Sequence, residues 1–276
     1  MIPAVDGNSL IGPSATGPVI HFRDERITIY QADSTDLNML DDASVDLIVT
    51  SPPYNLDVSY HGYQDAVPYD RYLDWVGTWA RSLLRVARRG GRACLNVPLD
   101  SNKGGKRAVY ADFVQIFRAA GWSYQTTIVW NEQNISRRTA WGSWMSPSAP
   151  FVTAPVEMIS VFYKDEWRRP HLDRQSDIER DEFLAWTLGV WEFPGENPGK
   201  VRHPAPFPLE LPRRLIRLYS YLDDLVLDPF LGSGTTAVAA STLGRRFVGV
   251  ELDEEYCRTA VERLKKSQPP VAGTFP

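Results

Sequence analysis

The alternation of apolar and polar residues divides the chain into strands and helices. Short apolar runs rich in β-branched residues predict seven strands, at residues 26–32, 45–50, 92–97, 122–130, 156–163, 224–228 and 246–251. Apolar residues at helical spacing predict helices at residues 68–89, 110–120, 211–221, 235–243 and 254–266. This alternation is typical of a doubly wound α/β fold with a mainly parallel sheet. No helix separates 122–130 from 156–163, so one of these two strands is expected to run antiparallel.

The second predicted strand ends at a turn with the sequence Ser51-Pro52-Pro53-Tyr54. The strand stops there because neither proline has an N–H for a ladder. The turn presents a hydroxyl, backbone carbonyls and an aromatic ring at a strand end, where ligands of open α/β sheets bind. These acceptors suit the exocyclic amine of a nucleobase, on which Tyr54 could stack. A plain strand-ending turn with a buried tyrosine is the alternative, which these four residues alone do not exclude.

Two further motifs accompany this turn. They are Asp228-Pro229-Phe230-Leu231-Gly232-Ser233-Gly234-Thr235-Thr236 and His203-Pro204-Ala205-Pro206-Phe207-Pro208. With all three motifs, the chain resembles the amino-group DNA methyltransferases, which methylate cytosine N4 or adenine N6, over roughly residues 22–265. A catalytic motif that precedes the cofactor loop is the order of the family's beta group. The resemblance implies a seven-stranded, Rossmann-like domain that depends on S-adenosylmethionine, with Ser51, Pro52, Pro53 and Tyr54 as catalytic residues.

The glycine motif lies between a predicted strand and a predicted helix. The resemblance implies that it binds the cofactor, through Asp228, Pro229, Phe230, Gly232, Ser233, Gly234 and Thr235, together with Phe207. Glu251 ends the next strand and is placed to accept both ribose hydroxyls. The loop also satisfies the Gly-x-Gly-x-x-Gly/Ala pattern of dinucleotide-binding enzymes. Asp228 and Pro229 before the glycines, and the lack of an evident hydride-acceptor site, favour a sulfonium cofactor over NAD.

Asp33 follows the first predicted strand. In the family an acidic residue at this position contacts the adenine end of the cofactor. Asp33 followed by Ser34 also suits a cap of the next turn, and the two interpretations stay open.

Basic residues are concentrated in one part of an acidic chain. Residues 81–107 carry a net charge of +7, the remainder −11 and the whole chain −4. A basic patch of this kind fits a local contact with DNA phosphates. The loop with Lys103, Lys106 and Arg107 is the predicted DNA-binding part, and a solvated turn is the alternative.

Two stretches, residues 131–155 and 164–202, do not fit the alternation of strands and helices. They contain five of the nine tryptophans, and the first contains Arg137 and Arg138. In the family, target recognition falls between the catalytic and cofactor halves, so both stretches are expected to serve it. Arg137 and Arg138 are expected to read base edges or phosphates. The alternative is that the aromatic residues pack a small subdomain.

The expected domain organisation follows from these motifs. Residues 1–21 should form a flexible arm, 22–266 the methyltransferase domain and 267–276 a flexible tail. Within the domain, residues 22–130 and 156–163 form the catalytic half, and residues 203–266 form the cofactor half. Two cysteines indicate a reducing compartment without a disulfide framework. The histidines show no metal-ligand spacing, and no apolar run is long enough for a membrane span.

The resemblance also implies a substrate and a setting. A serine in the first position of the catalytic motif is commonly associated with cytosine N4, and aspartate with adenine N6. We therefore expect site-specific, in-line methylation of cytosine N4 on a base flipped out of double-stranded DNA. Adenine N6 is the alternative, an NAD-dependent oxidoreductase a more distant one, and RNA or protein glutamine methylation stays open. The expected setting is the prokaryotic cytoplasm, at the nucleoid, with a homodimer and a companion restriction endonuclease as candidate partners.

Overall fold

The structure is a computed structural model. It describes residues 17–56, 59–60, 63–64, 67–101, 107–133, 142–150, 152, 155–169, 173–196 and 207–267. The strands in these ranges are β1 (Val19–Arg23), β2 (Ile27–Gln31), β3 (Val45–Thr50), β4 (Ser59–Tyr60), β5 (Tyr63–Gln64), β6 (Ala87–Pro98), β7 (Ser123–Asn131), β8 (Val156–Tyr163), β9 (Val190–Glu192), β10 (Leu225–Asp228) and β11 (Arg246–Glu251). The helices are α1 (Tyr69–Val86), α2 (Val109–Ala119), α3 (Arg180–Trp186), α4 (Glu210–Tyr219), α5 (Thr235–Thr242) and α6 (Glu254–Ser267).

Nine of the described strands form one sheet, in the order β1-β2-β11-β10-β3-β6-β8-β7-β9. Strands β2, β11, β10, β3 and β6 are mutually parallel. Strand β8 runs antiparallel to β6 and β7, and β9 runs parallel to β7. The predicted doubly wound, mainly parallel sheet is confirmed, and so is an antiparallel strand in the pair 122–130 and 156–163. The predicted number of seven strands is wrong, because β1 and β9 extend the two edges.

Strand β1 corrects the expected boundary of the N-terminal arm at residue 21. Val19, Ile20 and the following residues pair with β2 in antiparallel register. Val19 and Ile20 are 48% and 47% exposed, and Phe22 is the partly buried apolar residue of this strand that packs on the core. The sequence therefore shows no strong alternation here, and the rest of the arm, residues 1–16, lies outside the described residues.

The end of α1 also differs from the prediction. The helix stops at Val86, and β6 begins at the next residue instead of at residue 92. The pairing of β3 with β6 shifts between Val45 opposite Ala87 and Leu47 opposite Arg92. The intervening residues form a bulge, in which Gly90 has a φ of 72°. Gly90 therefore lies within a strand, and the helix ends three residues before the predicted residue 89.

The sheet separates two layers of apolar side chains. Helices α1 and α2 cover one face, and α4, α5 and α6 cover the other. Strand β3 is buried throughout and points Leu47 and Val49 to one layer and Ile48 to the other. Cys94 and Cys257 are buried free thiols. None of the described helices combines the length and the apolar character needed to span a membrane.

Buried ion pairs close the amino edge of the sheet. Asp46 is the second residue of β3 and Asp224 precedes β10, and they are 1% and 3% exposed. Arg169 reaches both carboxylates at 2.9 Å. Arg174 also contacts both. These contacts hold the chain that follows β8 across this edge.

The ion pairs show where part of the expected target-recognition region lies. Arg169 and Arg174 lie beside Asp46, about 16 Å from Ser51 at roughly 3.3 Å per strand residue. Helix α3 then packs on α4, and Trp186 and Trp191 are buried. These tryptophans therefore pack the fold. In the second stretch, only residues 193–202 follow a strand end on the catalytic edge, and residues 197–202 lie outside the described part of the chain.

We predict that Arg169→Met lowers the free energy of unfolding by about 3 kcal/mol, because it removes the most buried cation from two buried carboxylates. Asp46 then keeps only Arg88 and Arg174, each at 3.4 Å, and Asp224 keeps only Arg174. Urea denaturation measures this change. The matched control is Arg168→Met, since Arg168 is exposed and should change stability by less than about 0.5 kcal/mol. Equal effects of the two substitutions would show that the ion pairs do not hold this edge.

Candidate active site

The predicted site residues meet at the carboxyl edge of the parallel strands. Ser51 follows β3, Asp228 ends β10, Glu251 ends β11 and Asp33 follows β2. These four strands are neighbours in the sheet, in the order β2-β11-β10-β3. The catalytic turn and the glycine loop are therefore adjacent in space although they are far apart in sequence.

Asp228 connects the catalytic turn to the glycine loop. Its Oδ1 accepts a hydrogen bond from the Thr50 hydroxyl at 2.7 Å and from the Phe230 N–H at 3.1 Å. Its Oδ2 accepts one from the Thr236 hydroxyl at 2.6 Å. The side chain is fully buried, and burial raises the pKa of Asp228 to about 6. Donors within the protein thus hold this carboxylate in place, and the predicted contact of Asp228 with the cofactor stays a prediction.

The residues after Asp228 anchor the loop to neighbouring elements. The Pro229 carbonyl accepts a hydrogen bond from the buried Ser34 hydroxyl. The Phe230 ring packs against Trp75 and Trp79 of α1, with centroids 5.5 and 5.2 Å away. Both residues therefore fix the position of the loop.

The conformation and the packing of the loop require glycine. Gly232 and Gly234 have φ values of 51° and 84°, in the left-handed region. A Cβ at Gly234 would lie 2.7 Å from the Cβ of Ala260 on α6. Gly234 is therefore required for close contact with a helix, independently of any ligand.

Arg263 of α6 holds the glycine loop through three hydrogen bonds. Its Nη1 donates to the carbonyl of Ser233 at 2.7 Å, to the Ser233 hydroxyl at 2.8 Å and to the Thr235 hydroxyl at 3.1 Å. The side chains predicted to bind cofactor at these two positions thus face α6. Sequence reasoning missed Arg263, because a single arginine on a terminal helix gives no signal.

The Glu251 carboxylate accepts backbone hydrogen bonds but has no cationic side chain paired with it among the described residues. Its Oε2 accepts the Gly232 N–H at 2.8 Å, and its Oε1 accepts the Asp253 N–H at 2.9 Å. Burial raises the pKa of Glu251 to about 7. Within the described residues neither Glu251 nor Asp228 forms a salt bridge. Each Glu251 oxygen retains lone pairs for further donors, such as a pair of ribose hydroxyls.

Two other residues predicted to bind the cofactor fall in the described part of the chain. The Asp33 carboxylate accepts the Thr35 N–H at 2.8 Å, so the turn cap suggested by the sequence is present. Phe207 is partly buried against the core on the side of α4, α5 and α6. Its neighbours 203–206 lie outside the described ranges.

The catalytic turn is held rigidly. The Ser51 Oγ and the Tyr54 Oη are 2.5 Å apart. The Pro53 carbonyl accepts a hydrogen bond from the Tyr72 hydroxyl at 2.8 Å, and Pro52 is buried. The side chain of Asn55 bonds the backbone of Val67 in both directions, at 2.9 and 3.0 Å. The turn is therefore preorganised.

Two polar residues that the sequence analysis missed complete the turn. The Tyr54 hydroxyl lies 3.1 Å from the Asn96 carbonyl and 3.4 Å from Glu157 Oε2. The Asn96 Nδ2 donates to Glu157 Oε2. Asn96 interrupts the apolar run of β6, which was the available signal. Glu157 reaches the site because β8 pairs with β6, which the sequence does not reveal.

The predicted DNA-binding residues are only partly described. Arg107 pairs its backbone with Ser101, which closes the loop after β6 on the catalytic edge. Its guanidinium stacks on the Tyr69 ring at 4.2 Å from the centroid. The other predicted contacts lie outside the described residues: Lys103, Lys106, Arg137 and Arg138.

Comparisons with known proteins agree with this geometry. Residues 45–262 match the family model of the N6/N4 methyltransferases, described as DNA methylase. The type II methyltransferase M.MjaVI of Methanocaldococcus jannaschii is 53% identical over 171 residues, which are 62% of this chain and 87% of that protein. These relatives give no support to the NAD-dependent oxidoreductase alternative.

Solved structures share the fold. TTHA0409 of Thermus thermophilus, complexed with S-adenosyl-L-methionine, superposes with a TM-score of 0.71 at 30% identity, covering 91% of this chain and 100% of that one. The cytosine-N4-specific PvuII DNA methyltransferase has a TM-score of 0.67 at 21% identity, covering 88% of this chain and 91% of that one, a likeness of fold alone. With the family model matched over most of its length, the chain belongs to the N6/N4 DNA methylase family.

Proposed function

We propose that the protein is a site-specific DNA methyltransferase that transfers a methyl group from S-adenosylmethionine to N4 of a cytosine flipped out of the duplex. The observation that carries the proposal is the preorganised Ser51 hydroxyl, which Asp228 holds beside the glycine loop through Thr50. Serine in this position favours cytosine N4. Adenine N6 is the alternative, because the family includes both target amines.

The residues at the strand ends fit the cofactor. Glu251 offers acceptors for two ribose hydroxyls, and its uncompensated charge suits a cationic ligand. Asp33 and Phe207 would flank the adenosine, and the backbone of residues 232–235 would line the remainder. When bound, S-adenosylmethionine supplies an electrophilic methyl group on a sulfonium.

Catalysis by the chain's own residues consists of activation and positioning. The lone pair of an exocyclic amine is delocalised into its ring, so the nitrogen is a poor nucleophile. Hydrogen bonds from the amine to Ser51 Oγ and the Pro52 carbonyl would draw the nitrogen towards tetrahedral geometry and restore its lone pair. Tyr54 would stack on the base. A rigid turn maintains the near-attack distance of about 3–3.5 Å.

The DNA would be bound along the same edge. Lys103, Lys106 and Arg107 follow β6, and residues 131–155 begin at the last residue of β7, so both segments leave the sheet at the same edge as the catalytic turn. We assign phosphate contacts to the first segment, and target recognition with Arg137 and Arg138 to the second. Kinship to a type II methyltransferase supports a restriction-modification role in the prokaryotic cytoplasm, with a companion endonuclease.

Mass spectrometry of nucleosides tests the target base. Duplex DNA is incubated with the protein and isotopically labelled S-adenosylmethionine, then digested. We expect the label in N4-methylcytosine, because the first residue of the catalytic motif is Ser51 and not aspartate. Label in N6-methyladenine would establish the alternative, and unlabelled DNA would overturn the proposal.

A second prediction concerns pH and cofactor affinity. Because the pKa of Glu251 is about 7, its carboxylate is largely ionised at high pH and protonates as the pH falls. Affinity for S-adenosylhomocysteine should therefore fall about tenfold from about pH 8 to about pH 6. Titration calorimetry measures this dependence.

Glu251→Gln should bind more weakly by about 1.5–3 kcal/mol and lose this pH dependence. Glu255→Gln is the matched control, since Glu255 is exposed on α6 and should keep wild-type behaviour. If the wild type binds equally well at both pH values, Glu251 does not hold the ribose as an ionised group.

A further inference from the structure

A short chain of polar atoms runs from the catalytic turn to β8. It begins at Ser51 Oγ, passes through Tyr54 Oη at 2.5 Å and reaches Glu157 Oε2 at 3.4 Å. The proposed reaction makes such a chain relevant. The amine starts with two hydrogens and the neutral methylated product keeps one, so each turnover releases one proton.

The hydrogen-bond partners fix the direction of this chain. An ionised Glu157 carboxylate and the Asn96 carbonyl can only accept, so the Tyr54 proton points to them. The Asn96 Nδ2 also donates to Tyr54 Oη, at 3.3 Å. Tyr54 Oη therefore accepts from Ser51, whose own lone pairs are left to accept from a target amine.

Folding stability does not account for the Asn96 and Glu157 pair. Asn96 is 1% exposed, and its Oδ1 has no hydrogen-bond partner in the described part of the chain. A buried amide oxygen without a partner costs roughly 1–3 kcal/mol. An apolar residue would make this position of β6 more stable. We therefore explain Asn96 by the hydrogen bonds that its Nδ2 donates to Glu157 and Tyr54.

We infer that Glu157 is the proton acceptor for the methyl-transfer step, an inference that rests on the proposed function and holds for either target amine. The nitrogen–carbon bond forms and the carbon–sulfur bond breaks, and the amine gives a proton to Ser51 Oγ. Ser51 passes its own proton to Tyr54 Oη, and Tyr54 passes its proton to the Glu157 carboxylate. Glu157 is only partly buried and returns the proton to solvent.

Single-turnover methylation, with saturating cofactor and DNA, tests the inference. Glu157→Gln removes the acceptor, and Tyr54→Phe interrupts the chain while it retains the ring. Each should slow the reaction about 10²-fold, the lower range for general base catalysis. Dissociation constants for S-adenosylhomocysteine and for DNA should stay close to the wild-type values, which also shows that the variants fold.

A double-mutant cycle separates proton transfer from a merely structural role. Because Ser51 and Glu157 act in one chain, the variant with both Ser51→Ala and Glu157→Gln should be no slower than the slower single variant. The matched control is Glu166→Gln, just beyond the other end of β8, where Glu166 pairs with Arg89 at the surface. It should methylate at the wild-type rate.

The outcomes distinguish this inference from the proposed function. A wild-type protein that does not label DNA overturns both. An active wild type with an unaffected Glu157→Gln variant overturns the role of Glu157 alone. Independent, multiplicative effects of Ser51→Ala and Glu157→Gln do the same, because two separate residues would then be acting.

Discussion

The candidate active site depends on the buried carboxylate of Asp228. Removing a carboxylate from water is costly, and its raised pKa reflects that cost. Hydrogen bonds from Thr50 and Thr236 offset the cost only if β3 and α5 stay in place. The residue before the catalytic turn and the helix after the glycine loop are thereby tied to the same two oxygen atoms. Two motifs that are distant in sequence become one rigid unit.

The two edges of the sheet differ in how their buried carboxylates are neutralised. At the amino edge, Asp46 and Asp224 are neutralised by Arg169 and Arg174, and the chain that crosses there is fixed. At the carboxyl edge, Glu251 lacks a salt-bridge partner within the described residues. Uncompensated charge at an edge where several strands end is typical of a ligand site. The segment after β8 begins at the neutralised edge, opposite the candidate active site.

Much of the fold could be predicted because the central strands are apolar and β-branched on both faces. The edge strands β1 and β9 escaped prediction because exposure on an edge removes the apolar pattern. The motifs also identified the site, since turns at strand ends are local features. Asp228 was predicted to bind the cofactor because it lies beside the glycines in sequence. Only the fold shows that Thr50, Phe230 and Thr236 donate hydrogen bonds to its oxygens. Glu157 depends on the pairing of β8 with β6, a contact between distant residues that no local pattern reports.

The most direct test of the account is a crystal structure with S-adenosylhomocysteine and a duplex that carries the target base. We predict that both ribose hydroxyls of the cofactor donate hydrogen bonds to the Glu251 carboxylate. We also predict that the target base is flipped out of the duplex and that its exocyclic nitrogen lies about 2.7–3.2 Å from Ser51 Oγ. A cofactor bound at another edge of the sheet, or an extruded base whose amine does not contact Ser51, would contradict it.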